Sequence, residues 1–372
     1  MRMFHAIIVL TTVLFADGPI PRSKAIPDST GNTLWFNINV LRIEGKGWKE
    51  TAKPFDRLPA SAESLVRPEV WKLSRNSAGL CARFITDAGY INARWNVSGA
   101  DLAMNHFAAT GVSGIDLYVK MPEGQWRWLG IGRPKSFPVN ECYLAQDIIG
   151  AQKREYLVYF PLYNGLDSLW LGLPKDAFFS QAPARPANVL PIVFYGTSIT
   201  QGGCASRPGM AYVSQLGRML DREVINLGFS GNGRMEPALA SFLAELAPAL
   251  YVIDCLPNLQ PDQVTERVAP FVMTLRKARP ATPILLVDTP DYQDGFLIKP
   301  RMDRVLASRK NLIEEFTKLT ADNVSGLFYL NGEKFFGQDG EGTVDGTHPT
   351  DLGFKRQTDI MLPVIQGILS RE

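Results

Sequence analysis

Histidine and cysteine are scarce, with three His and four Cys among 372 residues. None of Cys81, Cys142, Cys204 and Cys255 stands in a CxxC pair or at metal-ligand spacing from a histidine, so neither a zinc site nor another metal or cofactor is expected. An even cysteine count permits two bridges, most simply Cys81 with Cys142 and Cys204 with Cys255, although free buried thiols also pack well as small apolar groups. Charge of one sign is lacking as well. The 39 Lys plus Arg face 37 Asp plus Glu, a net charge of +2, which leaves no basic field for nucleic acid and no acidic tail. A small or neutral ligand is the expected partner. Repeats and low-complexity tracts are absent, and beyond the N-terminus no apolar run approaches membrane-spanning length, so stable membrane insertion is not expected.

What is present begins with "MRMFHAIIVLTTVLFADG". A basic Arg2, an apolar run from Ala6 to Ala16 and a polar break at Asp17 fit a signal peptide over residues 1–17 better than a membrane span. A buried first strand or helix is the alternative. The signal reading makes the mature chain soluble and exported, to the periplasm or beyond.

With 45% hydrophobic and 20% charged residues, the chain has an ordinary globular composition and is long enough for two cores. From about Thr33 to Gly172, short β-rich runs such as "LWFNINVLRI", "LCARFIT", "GIDLYVK" and "EYLVYFPLY" alternate with turn residues, which predicts a β-sandwich or jelly-roll over residues 18–173. Residues 174–191, with Pro174, Pro183, Pro186 and Pro191, read as a linker. From 192 to 372 the texture changes. The apolar runs "PIVFYG", "EVINLGF", "LYVIDCL" and "PILLVDT" are separated by segments of helical periodicity, which predicts an α/β domain on a parallel sheet.

In such a sheet, ligand sites form where loops leave the carboxyl ends of the strands. Ser198 follows "PIVFYG", Gly231 follows "EVINLG" in "FSGNG", Asn258 follows "LYVIDCLP", and "DGTHPTDLGF" near the C-terminus carries Asp345 and His348. Each fills a role in acyl transfer. A serine hydroxyl needs a base, which His348 supplies, and Asp345 can hold the imidazole tautomer and stabilise its charged form. The oxyanion needs fixed donors, and the N–H of Ser198, the N–H of Gly231 and the amide of Asn258 offer three. Singly, Gly231, Asn258 and Asp345 could be ordinary turn or cap residues. Four in order at four strand ends are hard to attribute to turns.

These blocks, "GTSIT", "NLGFSGNG", "DCLPN" and "DGTHP", resemble those of the SGNH (GDSL-like) hydrolases. Block one has Gly-Thr-Ser in place of Gly-Asp-Ser, and Leu256 stands where a Gly usually lies two residues before the Asn. "SGIDLYV", residues 113–119, is similar to the GxDLY motif of an N-terminal domain that accompanies one SGNH subfamily. The resemblance implies a β-sandwich joined to a flavodoxin-like three-layer hydrolase domain, with Ser198, Gly231, Asn258, Asp345 and His348 in the roles above. "GTSIT" lacks the second glycine of the G-x-S-x-G elbow, which disfavours an α/β-hydrolase lipase.

His106 in "MNHFAATGVSG" could reach the site from the first half, but a hydrogen-bonded structural role is the commoner one. Trp126 and Trp128 alternate on one strand face; aromatic platforms of this kind do stack on sugars, but packing into the sandwich core is the commoner explanation. Asp254 and Asp288, at apparent strand ends, read as caps. The expected activity is that of a serine esterase removing short acyl groups, acetyl above all, from carbohydrate. The alternatives are a lipase or thioesterase for longer acyl chains, or a carbohydrate-binding protein with little activity.

Overall fold

The computed structural model describes residues 18–371, Ala151 aside, so the proposed signal segment lies outside the described residues. The first half is antiparallel. Strands β1 (Ala25–Pro27), β2 (Thr33–Asn37), β3 (Ile43–Glu44), β4 (Cys81–Thr86), β5 (Ile91–Val97), β6 (Ile115–Lys120), β7 (Trp126–Gly132), β8 (Val139–Ala145), β9 (Arg154–Tyr159), β10 (Leu166–Pro174) and β11 (Phe179–Gln181) form two sheets. One has the order β1-β2-β10-β5-β8 and the other β11-β4-β9-β6-β7, with β3 also on β4. Their inner faces interdigitate through Phe36, Phe84, Trp95, Leu117, Val158 and Leu171, the alternate apolar positions that the strand runs supply. Trp95 is fully buried, and its indole N–H donates to the Ser113 carbonyl at 3.0 Å. Within the stretch read as linker, Phe179–Gln181 instead forms an edge strand on β4, because Phe179 has a core socket against Phe36 and Phe84. Two short helices, α1 (Pro68–Ser74) and α2 (Ala109–Val112), lie in the long connections.

The second half carries the parallel sheet. Strands β12 (Ile192–Gly196), β13 (Val224–Gly228), β14 (Leu250–Asp254), β15 (Ile284–Val287) and β16 (Leu327–Leu330) are ordered β13-β12-β14-β15-β16. Numbered within the domain, that is 2-1-3-4-5, the flavodoxin-like order. The helices between them are α3 (Ser198–Gln201), α4 (Tyr212–Met219), α5 (Pro237–Glu245), α6 (Pro261–Ala278) and α7 (Lys299–Ala321), and α8 (Asp351–Leu369) closes the chain. Successive strand residues point to opposite faces. Val193, Tyr195, Tyr251 and Ile253 pack with residues of α5, α6 and α7, whereas Ile192, Phe194, Leu250 and Val252 pack with α4 and α8. The expected architecture, an all-β sandwich before a three-layer α/β domain, is therefore present. No helix among the described residues is long and apolar enough to cross a membrane.

The halves are joined by burial and by ions. Leu58, Ala62, Val66 and Val70 of the segment around α1 enter the same apolar cluster as β13 and α5. The GxDLY-like motif acts as a clamp on the hydrolase half. Asp116, fully buried, accepts from the Gly209 N–H at 2.9 Å and from Arg207 at 2.8 Å, and the Tyr118 hydroxyl also meets Arg207. Trp128 is not a core residue. It is 49% exposed, donates its indole N–H to Asp116 at 2.9 Å and faces Arg207, while Trp126 lies on the same outer face beneath Lys120. Both side chains share a face as the alternation requires, but that face turns to the hydrolase half rather than to the facing sheet.

Candidate active site

Three loops at the carboxyl ends of β12, β13 and β14 converge where the strand order reverses, the position at which open α/β sheets bind ligands. The first loop is tight. A Cβ on Gly196 would lie 2.1 Å from Thr200 Oγ1 and 2.4 Å from the Asp254 carbonyl, so only glycine lets β12 turn into α3 here. Thr197 caps that turn by accepting from the Ile199 N–H at 3.2 Å, and Ser198 follows as its first residue. Ser198 Oγ lies 2.9 Å from His348 Nε2.

The imidazole is held from its other side. His348 Nδ1 is 2.7 Å from Asp345 Oδ2, while Asp345 Oδ1 accepts the backbone N–H groups of Thr347 and His348 at 3.0 and 2.8 Å. Asp345 thus bonds to nearby backbone and to the ring together. Burial works to raise its pKa, yet the bonds from His348 and Thr347 outweigh it and hold the carboxyl below its ordinary value. Beyond the turn, Thr350 caps α8 and Asp351 accepts from the Ser206 N–H at 2.9 Å, which fixes "DGTHPT" against the nucleophile loop. Arg301 donates to Thr347 Oγ1 at 2.7 Å, and the Gln293 N–H donates to the Gly346 carbonyl at 3.0 Å.

Beside the Ser198 N–H, the donors expected for an oxyanion lie on the loops after β13 and β14. Gly231 has φ of 70°, a left-handed conformation that favours glycine, and a Cβ there would meet nothing within 4 Å, so its loop borders open space. The N–H groups of Ser198 and Gly231 bond to no other described residue. Asn258 Oδ1 accepts the Gly233 N–H at 3.2 Å, which leaves its Nδ2 to donate elsewhere. Leu256 is packed in the core, so the turn before Asn258 is held by apolar contact, and Arg304 donates to the Pro257 and Leu259 carbonyls on either side at 2.9 and 3.2 Å.

Several residues of the first half reach this site without any local sequence signal. Arg57, buried, donates to the carbonyls of Asn226 and Gly228 at the end of β13, at 3.1 and 2.7 Å, and to those of Leu73 and Asn76 in its own half. Arg67 donates to Asn232 Oδ1 at 2.7 Å and pairs with Glu236. Together they brace the loop that carries Gly231. Tyr163 donates to the Ser198 carbonyl at 3.2 Å. Their partners in the second half lie 35 to 171 residues away in the chain, beyond the reach of motif reasoning.

His106 is hydrogen-bonded and also reaches the site. Its ring lies edge-on to that of His348, with centroids 5.7 Å apart, and its Nδ1 meets Asn105 Oδ1 at 2.9 Å. His106, His348 and Cys204 also bring candidate ligand atoms within 4.8 Å of one another, a grouping that no local spacing shows. Both nitrogens of His348 are already engaged by Ser198 and Asp345, so the grouping offers at most two free donors. All four cysteines are free thiols.

Asp254 and Asp288 are buried rather than simple caps. Asp254 Oδ2 accepts from Tyr212 at 2.8 Å and from Thr200 at 3.2 Å, beneath the nucleophile helix, and burial pushes its pKa up to about 6. Asp288 pairs with Arg309 at 2.6 Å. Neither touches the Ser198–His348 pair.

Residues 190–366 match the family model of the GDSL-like lipase/acylhydrolase family, and residues 33–179 match that of the N-terminus of SGNH-hydrolase-type esterases. No curated protein matches the chain. Among solved structures, one from Bacteroides ovatus described as a GDSL-like lipase is 36% identical, covers 91% of this chain and 98% of its own, and superposes with a TM-score of 0.86. At lower identity the fold recurs in a salicylyl-acyltransferase from a tetracycline biosynthetic pathway (15% identity, 88% and 94% coverage, TM-score 0.69). It also recurs in a family two carbohydrate esterase from Clostridium thermocellum (13%, 78% and 91%, 0.55). The Bacteroides relative spans almost both chains, and the blocks around Ser198, Gly231, Asn258 and His348 stand at consecutive loops of one site. The chain belongs to the SGNH (GDSL-like) hydrolases and is an ester-bond hydrolase with a GxDLY-type N-terminal domain.

Proposed function

We propose that this protein is an exported serine esterase that removes short acyl groups, acetyl above all, from carbohydrate. The observation that carries the catalytic part is the continuous line of hydrogen bonds from Ser198 Oγ through His348 to Asp345, at 2.9 and 2.7 Å. In the proposed reaction His348 Nε2 takes the Ser198 proton as Oγ attacks the ester carbonyl, and Asp345 stabilises the imidazolium. The N–H groups of Ser198 and Gly231 and the Asn258 amide receive the oxyanion. Collapse expels the alcohol, which leaves with the proton from His348. Water then attacks the acyl-serine through the same base, giving the acid and free Ser198.

The choice of carbohydrate is supported by the family two carbohydrate esterases of like fold, one of them solved in complex with cellohexaose. The intact Ser-His-Asp line counts against a binding protein with little activity. A second reading, a lipase or thioesterase for longer chains, draws on a cavity of about 410 Å³ bordered by Tyr292, Phe296 and Met302, beside Gln293 and hence the Asp345–His348 turn. An apolar channel rewards each buried methylene by roughly 0.8 kcal/mol. Catalytic efficiency on 4-nitrophenyl esters of rising length, with acetyl release from acetylated xylan, separates the readings. A maximum at acetyl or propionyl with acetyl release supports the proposal, and a maximum at eight or more carbons favours the second reading.

A further inference from the structure

A trough of about 1130 Å³ lies in the sandwich half, away from the catalytic loops, on the outer face of the sheet β1-β2-β10-β5-β8. The inner face of that sheet packs on the other sheet, whose own outer face meets the hydrolase half through Tyr118 and Tyr159 against Arg218. The trough consequently opens on the side of the sandwich opposite the hydrolase half. Its size exceeds the roughly 300–1,000 Å³ typical of a site for one drug-sized molecule, which suits an extended ligand.

The strand registers put its chemistry in place. Gly172 of β10 stands between Trp35 of β2 and Asn92 of β5. A Cβ there would lie 3.0 Å from the Trp35 ring and 3.1 Å from Asn92, so the glycine keeps the floor low. One step along β10, Trp170 pairs with Arg94, and on the next strand Tyr143 stands opposite Asn92. Trp170 is only partly buried, and Tyr143 is 56% exposed with its ring edge-on to that of Tyr90, centroids 5.9 Å apart. Arg94 and Glu141 pair across the strands at 2.7 Å and cancel each other's charge, and the Asp28 carboxylate is taken up by its own turn through Thr30, Asn32 and Thr33. The wall is thus hydrogen-bonding but close to neutral.

One group lacks its partner. Asn92 is more than nine-tenths buried, and its Oδ1 accepts no hydrogen bond among the described residues. Such an atom costs free energy until a donor reaches it. The residue lines the trough with that oxygen turned inward, so the amide has to reorient for a bound donor to reach it.

From ring faces at the rim, neutral hydrogen-bonding walls and a buried acceptor awaiting a donor, we propose that this trough binds a neutral polysaccharide chain. The C–H faces of the sugar rings lie on Trp170 and Tyr143, one hydroxyl donates to Asn92 Oδ1, and others bond to the Arg94–Glu141 pair. A phospholipid or anionic polymer finds no free cation here, and a wholly apolar ligand leaves Asn92 unpaired. The site is separate from the catalytic one and holds the esterase on a polymer whose ester groups the other face processes. The assignment of a sugar ligand stands on the trough itself and survives even if the esterase acts on another ester.

Native affinity electrophoresis of the full chain through gels containing soluble deacetylated xylan, glucomannan or hydroxyethylcellulose tests it, because none of these is consumed by an esterase. At least one is expected to retard the protein. Trp170→Ala and the exposed Tyr143→Ala should each weaken that retardation by about tenfold or more, as for aromatic anchors of other interfaces. Both variants should hydrolyse 4-nitrophenyl acetate at the wild-type rate, which reports that the fold and the catalytic site are intact. Retardation by none of the three polymers, or retardation that survives both substitutions, overturns the proposal. Loss of 4-nitrophenyl acetate turnover in the wild type would instead sink the esterase reading and leave this one standing.

Discussion

His106 of the β-rich half and His348 of the α/β half meet edge to face, with ring centroids 5.7 Å apart and planes inclined by 60°. The base of the proposed triad is therefore steadied by both halves of the chain, with Asp345 on one side of its ring and His106 on another. Ring pairs of this geometry contribute about 0.5–1.5 kcal/mol beyond area burial. His106→Ala is accordingly expected to lower kcat/KM by roughly two- to tenfold, with the thermal midpoint lowered by no more than a few degrees. His106→Phe should restore most of it. A loss of several hundredfold would make His106 a proton-transfer group, and no loss at all would remove it from the site.

Asn258 carries a separate expectation. Its Oδ1 is held by the Gly233 N–H and its flanking carbonyls by Arg304, so the amide is fixed before substrate arrives. Removing one preorganised oxyanion donor costs on the order of a hundredfold to a thousandfold in turnover. Asn258→Ala should show that loss in kcat with KM nearly unchanged. If KM rises instead and kcat survives, Asn258 is a ground-state contact.

The buried carboxyl of Asp254 gives a pH signature in stability. Desolvation raises it to about 6, against hydrogen bonds from Tyr212 and Thr200 that pull it down. A carboxyl raised in the folded state stays neutral there while the unfolded chain ionises, so its contribution is full below about pH 4 and is lost as the pH rises to about 6. Asp254→Asn, which keeps an acceptor for Tyr212 and Thr200, should gain on the wild type by roughly 2 kcal/mol between pH 4 and pH 7. Urea midpoints at the two pH values measure it. A difference that does not change with pH would mean that Asp254 stays ionised in the folded protein.

Much of this was legible in the sequence because each block is local. Ser198, Gly231, Asn258 and the Asp345–His348 pair each follow a strand end or open a helix, and strand polarity alone brings those ends together. Short β-rich runs between turn residues likewise pointed to the β-sandwich, and apolar runs separated by helical segments pointed to the parallel sheet. What stayed hidden depends on contacts between distant segments. Nothing around Arg57 or Arg67 marks them as braces of the Gly231 loop, since their partners lie 165 or more residues away. Trp126 and Trp128 share a face as read, but periodicity cannot say whether that face meets the second sheet or the second domain. Phe179 sits among prolines and alanines that read as linker, and only the socket beside Phe36 and Phe84 makes it a strand. The sheet-face trough is a matter of register, with Gly172 facing Trp35 and Asn92, and register is set by the fold.

The central claim is that Ser198 is the nucleophile, activated by His348 at 2.9 Å. Mass spectrometry of the protein after reaction with an organophosphonate ester tests it most directly. The account predicts one adduct, on the peptide containing Ser198, formed in step with loss of esterase activity, and a folded Ser198→Ala variant that is both inactive and unlabelled. An adduct on a different serine, together with activity that persists in Ser198→Ala, would contradict it.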